Sequence, residues 1–241
     1  MGKKPLTQFP FTNISVTVTL LCLYLAIVFI VAKRFMRDRP AYKLKTFMVF
    51  YNIYQIVICV FSMKLILDTG VKFWGAYCPE VDTLDDSVLY SVGNLTYWIK
   101  VSEMVETVVF VLRRKEKQIT NLHVYHHCVT LIIVYFIIVN GFRSGWFFGL
   151  FINCFVHVLM YSYYLLCALF GEMKFFLWLK KAVTSFQILQ FAVVVTQLIM
   201  HQIMGCSYSK YLAAFLMSQY LIFLYLFCEF FVRAYWKRRV N

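Results

Sequence analysis

The sequence predicts an all-α membrane protein of seven transmembrane helices, and three observations carry that prediction. Hydrophobic residues make up 62% of the 241 positions and charged residues 15%, more apolar surface than one soluble core of this length buries. The apolar residues fall into seven runs close to the roughly 20 residues a helix needs to cross a bilayer. The basic residues behind a net charge of +13 stand in short clusters between those runs, a membrane-orientation pattern that argues against a nucleic-acid partner.

The runs cover residues 15–32, 46–67, 94–112, 122–140, 146–170, 182–204 and 211–235 of a single transmembrane domain spanning 1–241. The first is longer than a signal-peptide core and no small-residue cleavage site follows it, so it reads as a retained anchor. Leu6 occupies the position where a myristoylation signal needs Ser or Thr. The remaining runs are bounded by charges or turn residues, and none alternates as a membrane β-strand does. Aromatic residues, a fifth of the chain, suit lipid-facing walls and interfacial belts.

Seventeen of the 24 Lys and Arg residues lie on one set of alternate connections, in clusters at Lys33–Lys45, Arg113–Lys117, Lys174–Lys181 and Arg233–Arg239. The positive-inside rule therefore predicts a lumenal amino terminus and a cytosolic carboxyl terminus. The connection over 68–93 holds Asp68, Glu80, Asp82, Asp85 and Asp86 and faces the lumen on this assignment. Of the eight cysteines, Cys78 and Cys206 fall in lumenal loops and form a candidate disulfide. The other six read as small buried apolar residues.

Ionisable and polar side chains inside spans are costly unless paired or set in a cavity, so each points to a site. On the third run Lys100, Glu103 and Thr107 share a helical face, with Glu106 beside them. Such a stripe is either an internal salt bridge or a polar cavity wall. On the fourth, His123, His126 and His127 project from one face; on the fifth, Asn153, His157, Met160, Tyr161 and Tyr164 do; the sixth adds Thr184, Gln187 and Gln190. The economical packing turns these four stripes toward one interior chamber. HVYHH at 123–127 has two chemical readings. One is a metal box, for which a di-iron cluster needs about eight histidines against the five present, leaving at most a mononuclear site. The preferred reading is direct imidazole chemistry, as nucleophile or general base, without a metal.

Taken in order, the stripes resemble the ELO family of very-long-chain fatty acid elongases over nearly the whole chain. The resemblance rests on Lys100, Glu103, Glu106 and Thr107, on HVYHH, on Asn153, His157, Met160 and Tyr161, and on Thr184, Gln187 and Gln190. Smaller matches are Arg39 and Pro40, Tyr51 and Asn52, Cys78 with Pro79 and Asp82, and Gly205 with Cys206. Two departures stand out. Glu106 replaces the family's Asp, and Asn121 stands where an aromatic residue usually precedes Leu122 and His123.

The resemblance implies an enzyme of the endoplasmic reticulum membrane that condenses a long-chain acyl-CoA with malonyl-CoA to a 3-oxoacyl-CoA, releasing carbon dioxide and CoA. It implies a seven-helix bundle with six helices enclosing an acyl tunnel, and no cofactor beyond the two CoA substrates. Expected partners are membrane lipid, a second copy of the chain, and the reductases and dehydratase of the elongation cycle. On this reading His126 takes the acyl group, with His127 as the alternative. His157 binds the malonyl unit or an oxyanion, and His123 orients the thioester. Glu103 and Glu106 fix histidine tautomers or pair with Lys100, while Asn153, Gln187 and Gln190 donate hydrogen bonds. Lys100, Tyr161, Tyr163 and Thr184 complete the substrate-binding set, to which His123, Gln187 and Gln190 also belong. Arg113, Lys115, Gln118, Lys180 and Lys181 are candidates for the CoA phosphates, although positive-inside topology alone also places basic residues there. A single-step reaction with histidine as general base uses the same residues. The rival class is a seven-helix receptor or transporter, which has no need of HVYHH.

Overall fold

A computed structural model describes residues 13–70, 86–140, 146–171, 174–206 and 210–236. Among these residues all regular structure is helical and no strand is present. In chain order the elements are α1 (Ile14–Ala26), a π-turn (Ile27–Val31), α2 (Ala32–Met36), α3 (Lys45–Asp68), α4 (Asp86–Glu103), α5 (Val105–Leu112) and a 3-10 turn (Glu116–Gln118). They continue with α6 (Asn121–Val139), α7 (Phe147–Phe170), α8 (Lys174–Ile203), α9 (Lys210–Phe231) and a π-turn (Val232–Trp236).

Six helices are long and apolar enough to cross a membrane: Ile14–Met36, Lys45–Asp68, Asn121–Val139, Phe147–Phe170, Phe176–Ile203 and Lys210–Tyr235. The remaining expected span is present as α4 and α5, which meet at Met104. There the backbone tightens into i→i−3 bonds, Met104 N–H donating to the Val101 carbonyl and Thr107 N–H to that of Met104, each at 3.2 Å. This run is the least apolar of the set because Lys100, Glu103 and Glu106 lie in it.

Local chemistry sets the ends. Asn13 caps α1 by accepting from Ser15 N–H at 2.9 Å, and Thr120 caps α6 by accepting from His123 N–H at 3.2 Å. Gly171 closes α7 at φ 80°, ψ −174°, a conformation that side chains disfavour. α8 begins at Lys174, ahead of the expected 182, because Lys180 and Lys181 are good helix formers that extend into solvent and do not break the helix.

The chain divides into two compact units, one built from residues 1–44 and 90–142 and the other from 45–89 and 143–241. In the first, Ala32 and Met36 of α2 pack on Val111 of α5, flanked by Leu112 and Ile119. Arg114, at φ 52°, folds its guanidinium over the carbonyls of Met36, Arg37 and Arg39. It thereby caps the carboxyl end of the first span. In the second unit α7 lies along α3 and against α8, and α8 packs on α9. Met160, Tyr161 and Val183 form a core there with Tyr51, Ile56, Tyr163 and Tyr164.

The pattern on α3 is that of a helix in hydrocarbon. Its buried face carries Asn52, Gln55, Cys59, Ser62 and Ile66, whereas Phe50, Ile53, Val57 and Phe61 are exposed. Polar groups turn inward because lipid offers them no partner. Of the six cysteines expected to be buried, Cys59 and Cys154 are, Cys128 and Cys167 are half-buried, and Cys22 and Cys228 are exposed. Small apolar thiols on outward faces of spans meet hydrocarbon rather than water, so that expectation was too narrow. Cys206 is disulfide-bonded, and its expected partner Cys78 lies outside the described residues.

Candidate active site

The stripes on α4–α5 and α6 belong to the first unit, those on α7 and α8 to the second. In the first unit, Lys100 Nζ donates to both oxygens of Glu103, at 2.8 and 3.1 Å, and the two residues are only 5% and 1% exposed. The salt-bridge reading therefore holds for this pair. Two desolvated charges are tolerated because the ammonium engages both carboxylate oxygens.

Beyond the break at Met104 the polar residues turn to the histidines. Thr107 Oγ1 lies 2.9 Å from His123 Nε2, and Glu106 Oε2 lies 3.9 Å from His127 Nε2. The break thus separates a carboxylate that neutralises Lys100 from one that approaches an imidazole. On α6 the His123 and His127 rings meet edge to face at 4.4 Å, and those of His126 and His127 at 5.5 Å. Phe110 covers His123 at 5.2 Å.

The three imidazoles differ in access. His127 is buried, and among the described residues its Nδ1 has no hydrogen-bond partner. His123 and His126 are half-buried. Glu106, His123 and His127 each offer an atom within 4.8 Å of the other two. A zinc ion with bonds of about 2.0 Å draws its ligand atoms to about 3.3 Å of one another. Nε2 of His123, moreover, is already engaged by Thr107. The 3.9 Å between Glu106 and His127 exceeds both that spacing and a hydrogen bond.

In the second unit His157 is buried on α7, and its Nδ1 lies 2.8 Å from the Asn153 carbonyl oxygen. A carbonyl only accepts, so Nδ1 carries the proton and the lone pair of the neutral ring is on Nε2. Asn153 therefore contributes its backbone to this arrangement. Tyr161 is 1% exposed and packs against His157 at 5.9 Å, Tyr51 at 6.1 Å and Tyr164 at 6.1 Å. Tyr163 stacks beside Tyr164. Gln187 donates to the Met160 sulfur at 3.3 Å. Gln190 is buried, and among the described residues its Oε1 has no hydrogen-bond partner.

Thr184 is buried on α8. Its hydroxyl donates to the Lys180 carbonyl at 3.0 Å and lies 3.3 Å from Tyr235 OH, which ties α8 to the end of the last span. Of the candidates for the CoA phosphates, Arg113 is half-buried and Lys115, Gln118, Lys180 and Lys181 are exposed. The first three belong to the first unit and the two lysines to the second.

Two residues of these networks were not read as site residues: Tyr24 carries no mark in the sequence patterns, and Tyr51 entered only as a smaller match of the resemblance. Tyr24 of α1 sits 2.8 Å from Thr107 Oγ1, and its ring lies 6.5 Å from that of His127. Tyr51 of α3 accepts from Gln55 at 2.8 Å while packing on Tyr161. Aromatic residues are so common in these spans that a tyrosine resembles ordinary packing. The usable signal for Tyr24 was the i, i+7 spacing that puts it on one helical face with Thr17.

Comparison with known proteins gives a match to the family described as ELO: GNS1/SUR4 over residues 9–241. Very long chain fatty acid elongase 4 of Mus musculus is 32% identical over 236 residues, covering 96% of this chain and 74% of that protein. Very long chain fatty acid elongase 2 of Rattus norvegicus is 31% identical over 227 residues, 92% of this chain and 80% of that one. Very long chain fatty acid elongase 7 of Drosophila melanogaster is 30% identical over 246 residues, 97% and 71%.

Proposed function

Because the chain belongs to the ELO (GNS1/SUR4) family, we propose that it is the condensing enzyme of fatty acid elongation, joining a long-chain acyl-CoA to malonyl-CoA. The products are a 3-oxoacyl-CoA two carbons longer, carbon dioxide and CoA. It is a multi-pass membrane protein; residence in the endoplasmic reticulum, with a lumenal amino terminus and a cytosolic carboxyl terminus, is part of the proposal.

The observation that carries the chemical reading is the unequal access of adjacent imidazoles. His127 is walled in by His123, Tyr24 and Glu106, whereas His126 is half-buried. A thioester carbonyl must reach the nucleophilic nitrogen, and this favours His126. Its lone pair attacks the acyl carbon, the C–S bond breaks, and CoA leaves as a thiolate that takes up a proton. The acyl group then rests on the imidazole. Loss of carbon dioxide from malonyl-CoA leaves an enolate whose α-carbon attacks that acyl carbon, breaking the C–N bond and freeing His126. Each addition places negative charge on a carbonyl oxygen, for which His123 supplies a donor, and His157 is assigned to the malonyl unit. Of the candidates for the CoA phosphates, Arg113, Lys115 and Gln118 lie in the same unit as His126 and bind them in this scheme, and no cofactor takes part. Separate reductases and a dehydratase then act on the product.

The test is a condensation assay on the purified protein across a ladder of acyl-CoA lengths, with His126→Ala and His157→Ala alongside. Wild type is expected to form a 3-oxoacyl-CoA while each variant loses at least about a hundredfold in rate. A folded wild type that forms no product at any chain length sinks the proposal in favour of a ligand-binding role.

A further inference from the structure

The first span, expected to serve only as an anchor, carries a buried hydroxyl into the histidine cluster. Tyr24 is 5% exposed. Its hydroxyl lies 2.8 Å from Thr107 Oγ1, which in turn lies 2.9 Å from His123 Nε2. A second buried bond, Thr17 Oγ1 to Tyr97 OH at 2.9 Å, pins the same face of α1 to α4. The register that brings Tyr24 to Thr107 is therefore held at two points.

Proton counting gives this chain of hydroxyls a direction. Thr107 has one hydroxyl proton and two neighbours on its oxygen. Among the described residues Thr107 is the only hydrogen-bond partner of Tyr24. A buried O–H left without an acceptor is strongly disfavoured, so Tyr24 donates to Thr107. The threonine then donates onward, and His123 Nε2 accepts. An accepting Nε2 in a neutral ring requires the proton to be on Nδ1. The reverse order, with His123 donating from Nε2, leaves either the Thr107 or the Tyr24 hydroxyl proton without an acceptor.

From this geometry we infer that Tyr24 is a positioning residue of the active site: acting through Thr107, it holds His123 as the Nδ1–H tautomer and so presents a hydrogen-bond donor to the acyl-CoA. The carbonyl oxygen of the thioester is an acceptor that gains negative charge as the acyl carbon is attacked. A donor whose proton position is set in advance stabilises that charge without reorganising. The inference rests on the proposed condensation for its purpose, and on these hydrogen bonds for its structure.

The test pairs a spectroscopic measurement with kinetics. In the full-length protein labelled with 15N-histidine, the His123 signals are assigned by their loss in His123→Gln. Wild type is expected to show a protonated Nδ1 and an unprotonated, hydrogen-bonded Nε2; Tyr24→Phe is expected to populate the other tautomer. Condensation kcat falls on the order of tenfold in Tyr24→Phe, as one lost hydrogen bond would give, with little change in KM for the acyl-CoA. Adding Tyr24→Phe to Thr107→Val lowers kcat no further, while Thr107→Ser retains the wild-type tautomer. An Nε2–H tautomer in wild type, or tautomer signals unchanged by Tyr24→Phe, overturns the inference. If the tautomer shifts as stated but wild type forms no 3-oxoacyl-CoA, the relay stands and the condensation reading falls.

Discussion

Lys100 and Glu103 show how a single side chain in hydrocarbon is tied to its partner. Both are nearly inaccessible, and the ammonium spans both carboxylate oxygens. Lys100→Met is expected to destabilise the protein by about 3–5 kcal/mol, since it leaves the Glu103 carboxylate buried without its main counter-charge. The double variant Lys100→Met/Glu103→Leu recovers most of that loss, because no uncompensated charge remains. Thermal unfolding in detergent micelles distinguishes the two; equal destabilisation by single and double variants contradicts the pairing. The salt bridge was one of two outcomes the sequence offered, because an i, i+3 spacing puts opposite charges on one helix face without excluding a polar cavity wall. The links from Tyr24 to Thr107 and from Tyr51 to the Tyr161 cluster were not legible there, since they join positions far apart in the chain and tyrosine is abundant throughout.

Elements were read most accurately where hydrophobicity alone decides them. The first, second, fourth, fifth and seventh runs recur as helices within a few residues of the expected bounds. Errors fell where charge and helix part company. α8 continues through Lys180 and Lys181 to Lys174 because hydropathy registers charge, whereas the backbone registers propensity and caps. The break at Met104 escaped notice because it needs neither Pro nor Gly; it is a local tightening to i→i−3 bonds between two acidic residues with different partners. Gly171 is the opposite case, a stop that its residue type announces. Replacing it with Ala at φ 80°, ψ −174° is expected to lower stability by about 1–3 kcal/mol. Nothing lies within 4 Å of an added Cβ, so the loss is one of backbone conformation rather than packing. A melting temperature that does not change in Gly171→Ala contradicts this account of the α7 terminus.

For the whole molecule, composition and seven apolar runs sufficed to establish an all-α membrane protein, because a bilayer leaves the backbone so few alternatives. The order of the polar stripes pointed to the family that the comparisons support. Sequence patterns do not distinguish His126 from His127. They lie on neighbouring positions of one helix, and only the packing of Tyr24, His123 and Glu106 around the second separates them. The central claim is that His126 carries the acyl group between two substrates, and isotope exchange tests it most directly. The protein is mixed with a long-chain acyl-CoA and labelled free CoA, with malonyl-CoA omitted. An acyl-imidazole formed reversibly predicts label entering the acyl-CoA pool with wild type, and no exchange with His126→Ala. Condensation that proceeds without any such exchange, or exchange that survives in His126→Ala, contradicts the account.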